Sequence, residues 1–250
     1  TPEEFVNLES ATNGLIKPTI ITDDNGNYVL TDWMDELTRD AALTHNHNVA
    51  ISGSSNKFNY RASLNYKNAE GIAKTSNREE LIAKLSASQK ALDGKLELQY
   101  DMSYMRYRND FFCGNFKQAA ILNPTYPIYD ESTASGYYMP QGTGLTNPVE
   151  DMKNRESYQD GNYFRGSIKA SYNILDGLKL SAFGAIEEGD NKKYWYNGVI
   201  NTDIAGSGKA GRSTDTNLSR LFEATLDYVW AHNGHNLAAV AGVSYQNFLT

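Results

Sequence analysis

Tyr163-Phe164-Arg165-Gly166-Ser167-Ile168-Lys169-Ala170-Ser171-Tyr172-Asn173-Ile174 is the stretch on which the fold turns. Phe164, Gly166, Ile168, Ala170, Tyr172 and Ile174 alternate with Arg165, Ser167, Lys169, Ser171 and Asn173, so an extended chain here has one apolar and one polar face. A slip of one residue would turn Arg165 and Lys169 toward the apolar side, at roughly 2–4 kcal/mol each if that side is lipid. The same period runs through 58–66, 79–88, 95–105 and 218–230, and more weakly through 47–53, 178–188 and 236–248. In this register the mid-strand charges Lys84, Asp101, Arg165, Lys169, Glu223 and Asp227 all face the polar side. The clear alternations last nine residues or more. Strands of a soluble sandwich average about 5–6 residues, whereas a tilted membrane-crossing strand needs about 9–11. Tyr104 and Tyr107, Tyr163 and Phe164, and Tyr228 and Trp230 sit near strand ends, where a girdle of aromatic rings is expected at a membrane boundary. The expected fold is therefore all-β: an antiparallel up-and-down meander of about seven strands, part of a transmembrane β-barrel with long extracellular loops.

The connections alternate between two kinds. Gly53-Ser54-Ser55-Asn56, Lys90 to Gly94, Leu175-Asp176-Gly177 and His232-Asn233-Gly234-His235 read as short turns, since Asp-Gly and Asn-Gly tolerate positive φ. Between them fall long connections at about 110–161 and 189–215 and a short one at 67–72. Residues 1–43 differ and are expected as a loop region on the elaborated side, ahead of barrel residues 44–250. There Ile20-Ile21-Thr22 and Tyr28-Val29-Leu30 flank Asp24-Asn25-Gly26-Asn27, a hairpin signal. Thr31 or Asp32 is expected to cap a short helix running through Leu43, with Trp33, Leu37 and Ala41 on one face.

Composition removes several function classes. A formal net charge of −7 argues against nucleic-acid binding, which needs a basic face. No apolar run approaches the ~20 residues of a spanning helix, and no basic-then-apolar leader opens the chain, so neither a transmembrane helix nor a signal peptide is expected. With one cysteine, neither an internal disulfide nor a cysteine zinc site is possible; Cys113, beside Phe111 and Phe112, reads as a small buried hydrophobe. Gly206-Ser207-Gly208-Lys209-Ala210-Gly211-Arg212-Ser213 imitates a phosphate loop but has no buried strand before it and no helix after it, so it reads as a mobile loop. His45 with His47, and His232 with His235, lie at opposite ends of the meander and cannot combine into a site of four ligands. Glu187, Glu188 and Asp190, like Glu150 and Asp151, read as solvated loop charge, with a Ca²⁺ site the minor alternative. No serine sits in a nucleophile elbow. No catalytic, cofactor or metal residue is nominated, and an enzyme is not expected.

The tyrosines of the long loops are the candidate contact residues: Tyr126, Tyr129, Tyr137 and Tyr138 in one, Tyr194, Trp195 and Tyr196 in the other. Their rings suit stacking on sugars, docking of a protein partner, or packing of one loop on another.

Thr31-Asp32-Trp33-Met34-Asp35-Glu36-Leu37, then Asn46-His47-Asn48-Val49-Ala50-Ile51-Ser52-Gly53, Asn59-Tyr60-Arg61-Ala62-Ser63-Leu64-Asn65-Tyr66 and Glu70-Gly71-Ile72 follow one another in an order and spacing that resemble SusC/RagA-like TonB-dependent outer-membrane transporters. Asn123-Pro124, Pro127-Ile128-Tyr129-Asp130 and Asn147-Pro148 resemble that family's first large extracellular loop. The resemblance implies a place in the cell outer membrane, in contact with its lipid, and import of glycan or peptide oligomers. The implied partners are a SusD-like surface lipoprotein and the TonB complex, reached through a missing N-terminal part with plug and TonB box. It also implies a barrel of 22 strands, so this chain is expected to be a fragment that transports nothing by itself. Two readings stand beside it: a stand-alone soluble β-sandwich that binds carbohydrate, and an outer-membrane enzyme of the lipase type.

Overall fold

A computed structural model of the protein describes residues 4, 7–12, 19–140, 144–198 and 208–249. Eight strands form one sheet: β1 (Thr44–Ser54), β2 (Phe58–Glu70), β3 (Asn77–Ala91), β4 (Leu96–Asp110), β5 (Arg155–Leu175), β6 (Leu178–Asn197), β7 (Lys209–His232) and β8 (His235–Leu249). Each pairs antiparallel with the next in chain order, and among the described residues β1 and β8 do not meet, so the sheet is open. Every stretch that alternates in the sequence lies in a strand, which makes the count eight rather than about seven. The strands reach further toward the loop end than their alternation suggests. β5 starts at Arg155, β6 runs to Asn197 and β7 starts at Lys209, taking over the margins of the stretches read as loops. The short connection falls at 71–76 rather than 67–72, because Lys67–Glu70 keep their ladder partners Asn77–Glu80.

The ladder fixes the two faces. Lys84, Ser103, Arg165 and Glu187 follow one another across β3–β6, and Lys169, Phe183 and Glu223 lie across β5–β7, so the mid-strand charges share one face. The other face carries Leu64, Ala83, Tyr104 and Phe164 in one row and Tyr60, Ala87, Tyr100, Ile168, Gly184, Phe222 and Tyr245 in another. Its apolar side chains stand in the open, with Val49 72% and Val243 63% exposed.

The edge of this apolar band yields the strand tilt. On β2 to β8 the unbroken outward apolar run ends, toward the loop end, at Tyr66, Leu81, Tyr104, Phe164, Ile186, Phe222 and Tyr245, with Leu218 and Leu249 recurring beyond the break on β7 and β8. Leu81 pairs with Arg106, Phe164 with Glu188, and Ile186 with Arg220, so the edge drops by two residues at each of these three steps. It stays level at the other three. One residue per strand, ~3.3 Å against a ~4.8 Å spacing, places the strands roughly 35° from the band normal. On β5 the apolar face from Phe164 to Ile174 then spans roughly 25 Å along the normal, the height of a barrel's lipid-facing belt.

At the loop end the chain builds a separate cap from α2 (Trp33–Leu37), α3 (Phe116–Ile121) and α4 (Pro148–Asn154); a further helical turn, α1 (Leu8–Ala11), precedes them. Trp33, Leu37, Ala119, Leu122, Val149 and Met152 form the buried cluster, with Phe112, Tyr126, Ile128, Tyr137 and Leu145 against it. Asp32 caps α2 by accepting from Met34 N and Asp35 N at 3.0 and 3.1 Å, and Asn147 caps α4 ahead of its first-turn proline. α2 ends at Leu37, not Leu43. Thr38 is extended and bridges Ala73, Lys74 N donates to the Leu37 carbonyl, and Arg39 Nη1 donates to the carbonyls of Gly71 and Ala73 at 2.5 and 2.8 Å. Pairing with the β2–β3 connection wins over one more helical turn, and Ala41 lies outside the helix. The hairpin signal at 20–30 is realised by a single bridge, Thr22 to Tyr28.

Candidate functional site

On the polar face near the loop end, side chains of β3–β6 close a hydrogen-bonded patch. Tyr107 Oη donates to Asn191 Oδ1 at 2.7 Å, Gln159 Nε2 donates to Tyr107 Oη at 3.0 Å, and Asn191 Nδ2 donates to Tyr163 Oη at 2.5 Å. The Tyr107 and Tyr163 rings stack with centroids 6.2 Å apart, and the Arg78 guanidinium lies 4.5 Å over Tyr107. Arg78 also pairs with Glu80 at 2.6 Å and donates to Asn109 at 2.8 Å. Two glycines let the rings lie flat on the sheet. A Cβ at Gly161 would overlap the Tyr107 ring, and one at Gly189 would come 2.8 Å from the Tyr163 ring. Such ring-over-glycine contacts cover a bare stretch of strand and pin the register. Tyr107 and Tyr163 therefore cannot belong to an outward girdle; Tyr104, Phe164, Tyr228 and Trp230 remain on the apolar side. Sequence reasoning missed this because aromatic content near a strand end was counted without its parity.

Lower on the same face the charges are looser. Ser86 donates to Asp101 at 2.7 Å, while Arg165 and Glu187 stand 3.9 Å apart with both side chains exposed. Lys84, Asp101, Arg165 and Phe183 line one shallow groove, and Lys169, Lys179, Glu223 and Asp227 line the next. Basic and acidic groups balance along these grooves, so the wall as a whole presents a polar surface without a strong charge of one sign.

The seven expected contact residues separate into two sets. Tyr126 and Tyr138 meet at 5.1 Å, and Tyr129 and Tyr137 at 5.3 Å across the hairpin bridge between them. Tyr126 and Tyr137 pack on the cap core, and burial pushes the Tyr137 and Tyr138 phenols above their ordinary pKa. Tyr129, by contrast, is 61% exposed. Tyr194, Trp195 and Tyr196 are not in a loop: they belong to the end of β6. Tyr194 stacks on Tyr158 at 4.7 Å under Arg212, Trp195 covers Gly211 on the opposite face, and Tyr196 is exposed.

The cap is held by buried polar groups that the sequence reading passed over. Trp33 Nε1 donates to the Asn123 carbonyl at 3.0 Å, and Thr31 Oγ1 to the Tyr126 carbonyl at 2.7 Å, tying residues 31–37 to the β4–β5 connection. Asn147 Nδ2 donates to Ile128 O at 2.8 Å. Asp151 is buried, not solvated: it accepts from Thr146 Oγ1 at 2.7 Å and pairs with Arg155 at 2.9 Å. Burial raises its pKa despite both contacts. Glu150 is buried as well. Glu187, Glu188 and Asp190 lie within β6, on its two faces, rather than in a loop.

The remaining motifs find ordinary places. Gly206 and Ser207 lie outside the described residues, while Lys209–Ser213 are the first residues of β7 and not a loop. His45 and His47 sit together on β1 with centroids 5.3 Å apart, and His232 pairs with His235 at the β7–β8 turn. Among the described residues no group of three or more His, Cys, Asp or Glu could hold a metal ion. Cys113 is half-buried, and burial pushes its thiol up, away from the reactive thiolate.

No family model matches the chain. Among curated proteins it is similar to the TonB-dependent receptor P26 of Formosa agariphila, 25% identical over 98% of this chain and 25% of that protein. It is also similar to the TonB-dependent receptor SusC of Bacteroides thetaiotaomicron, 29% identical over 61% of this chain and 17% of that protein. The fold matches solved structures of the RagAB peptide importer in closed-closed and open-open states, with TM-scores of 0.71 and 0.72 at 20% identity, covering 99% of this chain and 28% of the importer chain. The resemblance to SusC/RagA-like TonB-dependent transporters holds over the length of the chain, which spans a quarter or less of the curated relatives it matches. Those relatives are receptors and transporters rather than enzymes.

Proposed function

We propose that this chain is a section of the barrel wall of an outer-membrane transporter that imports oligomers with the help of a SusD-like surface lipoprotein and the TonB complex. The observation that carries the reading is the one-sided apolar band, roughly 25 Å high and crossed by strands tilted roughly 35°. A sheet so shaped is stable with lipid on one side and a polar lumen on the other. The loop-end patch around Tyr107, Gln159, Tyr163 and Asn191 then lines the upper lumen, and the balanced grooves below it line the passage.

The cap supplies the outer rim. Tyr28, Leu30, Met34, Ile121 and Tyr129 are exposed apolar or aromatic groups on its surface, suited to docking a protein lid. The oligomer is a glycan or a peptide. One similar structure is a peptide importer, and the glycan alternative rests on the family resemblance. The isolated wall section lacks a lumen of its own and is not expected to transport or to catalyse.

The soluble-sandwich reading is disfavoured by a specific observation: the described residues form one sheet, with no second sheet to cover Val49, Leu64, Phe222 or Val243. The test is growth of cells on oligomeric against monomeric nutrient after in-frame removal of the cap residues 116–140 from the complete receptor gene. Loss of growth on the oligomer alone, with the lipoprotein no longer co-purifying, is the expected result. Unchanged growth and unchanged co-purification would remove the rim from the account.

A further inference from the structure

Resting on that membrane reading, the register places two unpartnered arginines on the lipid side at the upper edge of the apolar band. Arg106 follows Tyr104 on β4, and Arg220 precedes Phe222 on β7; each is the residue that ends the unbroken outward apolar run of its strand, with Arg108 next beyond Arg106 and Leu218 next beyond Arg220. Both are exposed. Neither makes an ion pair or a side-chain hydrogen bond among the described residues, unlike Arg78, Arg108 and Arg155, which do. The nearby outward groups are Glu79 on β3, Asn162 on β5, Glu188 on β6 and Asn247 on β8. Tyr104 Oη donates to Asn162 Oδ1 at 3.0 Å, leaving the Asn162 amide hydrogens free to face the same level.

We propose that Arg106 and Arg220 bind phosphate groups of outer-leaflet lipid. A guanidinium at the hydrocarbon boundary extends toward the headgroups, and its planar fork matches a phosphate in two parallel hydrogen bonds. Carbonyl or ester oxygens could accept one such bond but offer no charge to balance the arginine. The two sites are about three strands apart and at the same height once the tilt is applied, so they hold the wall at a fixed depth. Glu79 and Glu188 do not pair with them, and their carboxylates keep the rest of this edge from being uniformly basic.

The test uses the complete receptor in detergent, titrated with diphosphoryl lipid A and followed by native mass spectrometry. Dephosphorylated lipid A and inorganic phosphate serve as the two controls. With Arg106→Gln and Arg220→Gln together, binding of the diphosphoryl lipid should weaken about thirtyfold, at about 1 kcal/mol per arginine. The Arg106→Lys, Arg220→Lys pair should keep most of it, and the dephosphorylated lipid should bind all forms alike. If the glutamine pair does not assemble, the two single variants are compared with the lysine pair in the same way. Equal binding of diphosphoryl lipid by wild type and glutamine variants overturns the proposal, as does full competition by inorganic phosphate. A receptor that stays in solution without detergent would instead sink the membrane reading itself.

Discussion

The cap and the wall obey different rules of burial. Among the described residues, six of the seven well-buried apolar ones, Trp33, Leu37, Ala119, Leu122, Val149 and Met152, belong to the cap, and Tyr107 alone to the sheet. The cap is a small water-type globule: helices too short to stand alone, capped by Asp32, Asn115 and Asn147, closed around one tryptophan. In the wall every strand has a ladder neighbour, but among the described residues no second layer covers its outward apolar face. A sheet with an exposed apolar face of this size is stable only against a second sheet or against lipid. On the membrane reading proposed above, fold stability comes from two solvents, water around the cap and hydrocarbon around the wall.

The largest expected effect follows at once. Removing detergent from the purified chain should aggregate the wall, as seen by light scattering. A cooperative melt in plain buffer would erase the contrast. Next, Trp33→Ala should cost the cap about 3–5 kcal/mol by leaving a cavity and removing the Nε1 hydrogen bond to the Asn123 carbonyl. Hydrogen exchange should then rise in 116–122 and 148–154 while β3–β6 stay protected. Equal loosening of both regions would mean they fold as one unit.

Within the wall, Gly161→Val should lift Tyr107 off its strand and cost about 1–3 kcal/mol, as overpacking does. The loss should appear as faster exchange at the loop ends of β4–β6, with no change in the cap. A smaller effect separates the regions by pH. Asp151 has its pKa raised by burial above the ordinary 3.8, so the folded cap holds a proton that the open chain releases. Its contribution to stability is present below the ordinary value and is lost as pH rises through the raised one. Asp130, lowered by the Ser132 hydroxyl, runs the other way and loses its contribution as pH falls. Cap exchange should therefore quicken from pH 4 to pH 7, and Asp151→Asn should flatten that slope.

The wall was legible in the sequence because a period of two needs only local information: Arg165 and Lys169 settle β5, and Asp176-Gly177 settles its turn. Where parity was not followed to the strand ends, the reading failed, as with Tyr107 and Tyr163. Outward Arg106, Glu188 and Arg220 carry no local signal at all; they matter through the band edge, which exists only once eight registers are known. The cap was half legible. Asp32 and Trp33 announce a helix, but its end at Leu37 is set by residues 71–74, more than 30 positions away in sequence. Likewise Asp151 and Arg155 stand at i, i+4 and could be paired from spacing alone, but the burial of Asp151 depends on the packing of the cap, which no spacing rule reports. For the aromatics, composition gave the right side chains without saying that Tyr126 and Tyr137 serve the core while Tyr129 does not.

The central claim is that the sheet has lipid on one side and an aqueous lumen on the other. Single cysteines placed along 164–172, in a Cys113→Ser background of the complete receptor in its native membrane, test it most directly. A water-soluble, membrane-impermeant maleimide should label positions 165, 167, 169 and 171, and spare 164, 166, 168, 170 and 172. Labelling of both sets alike would contradict the account, because it would put water on both faces of β5.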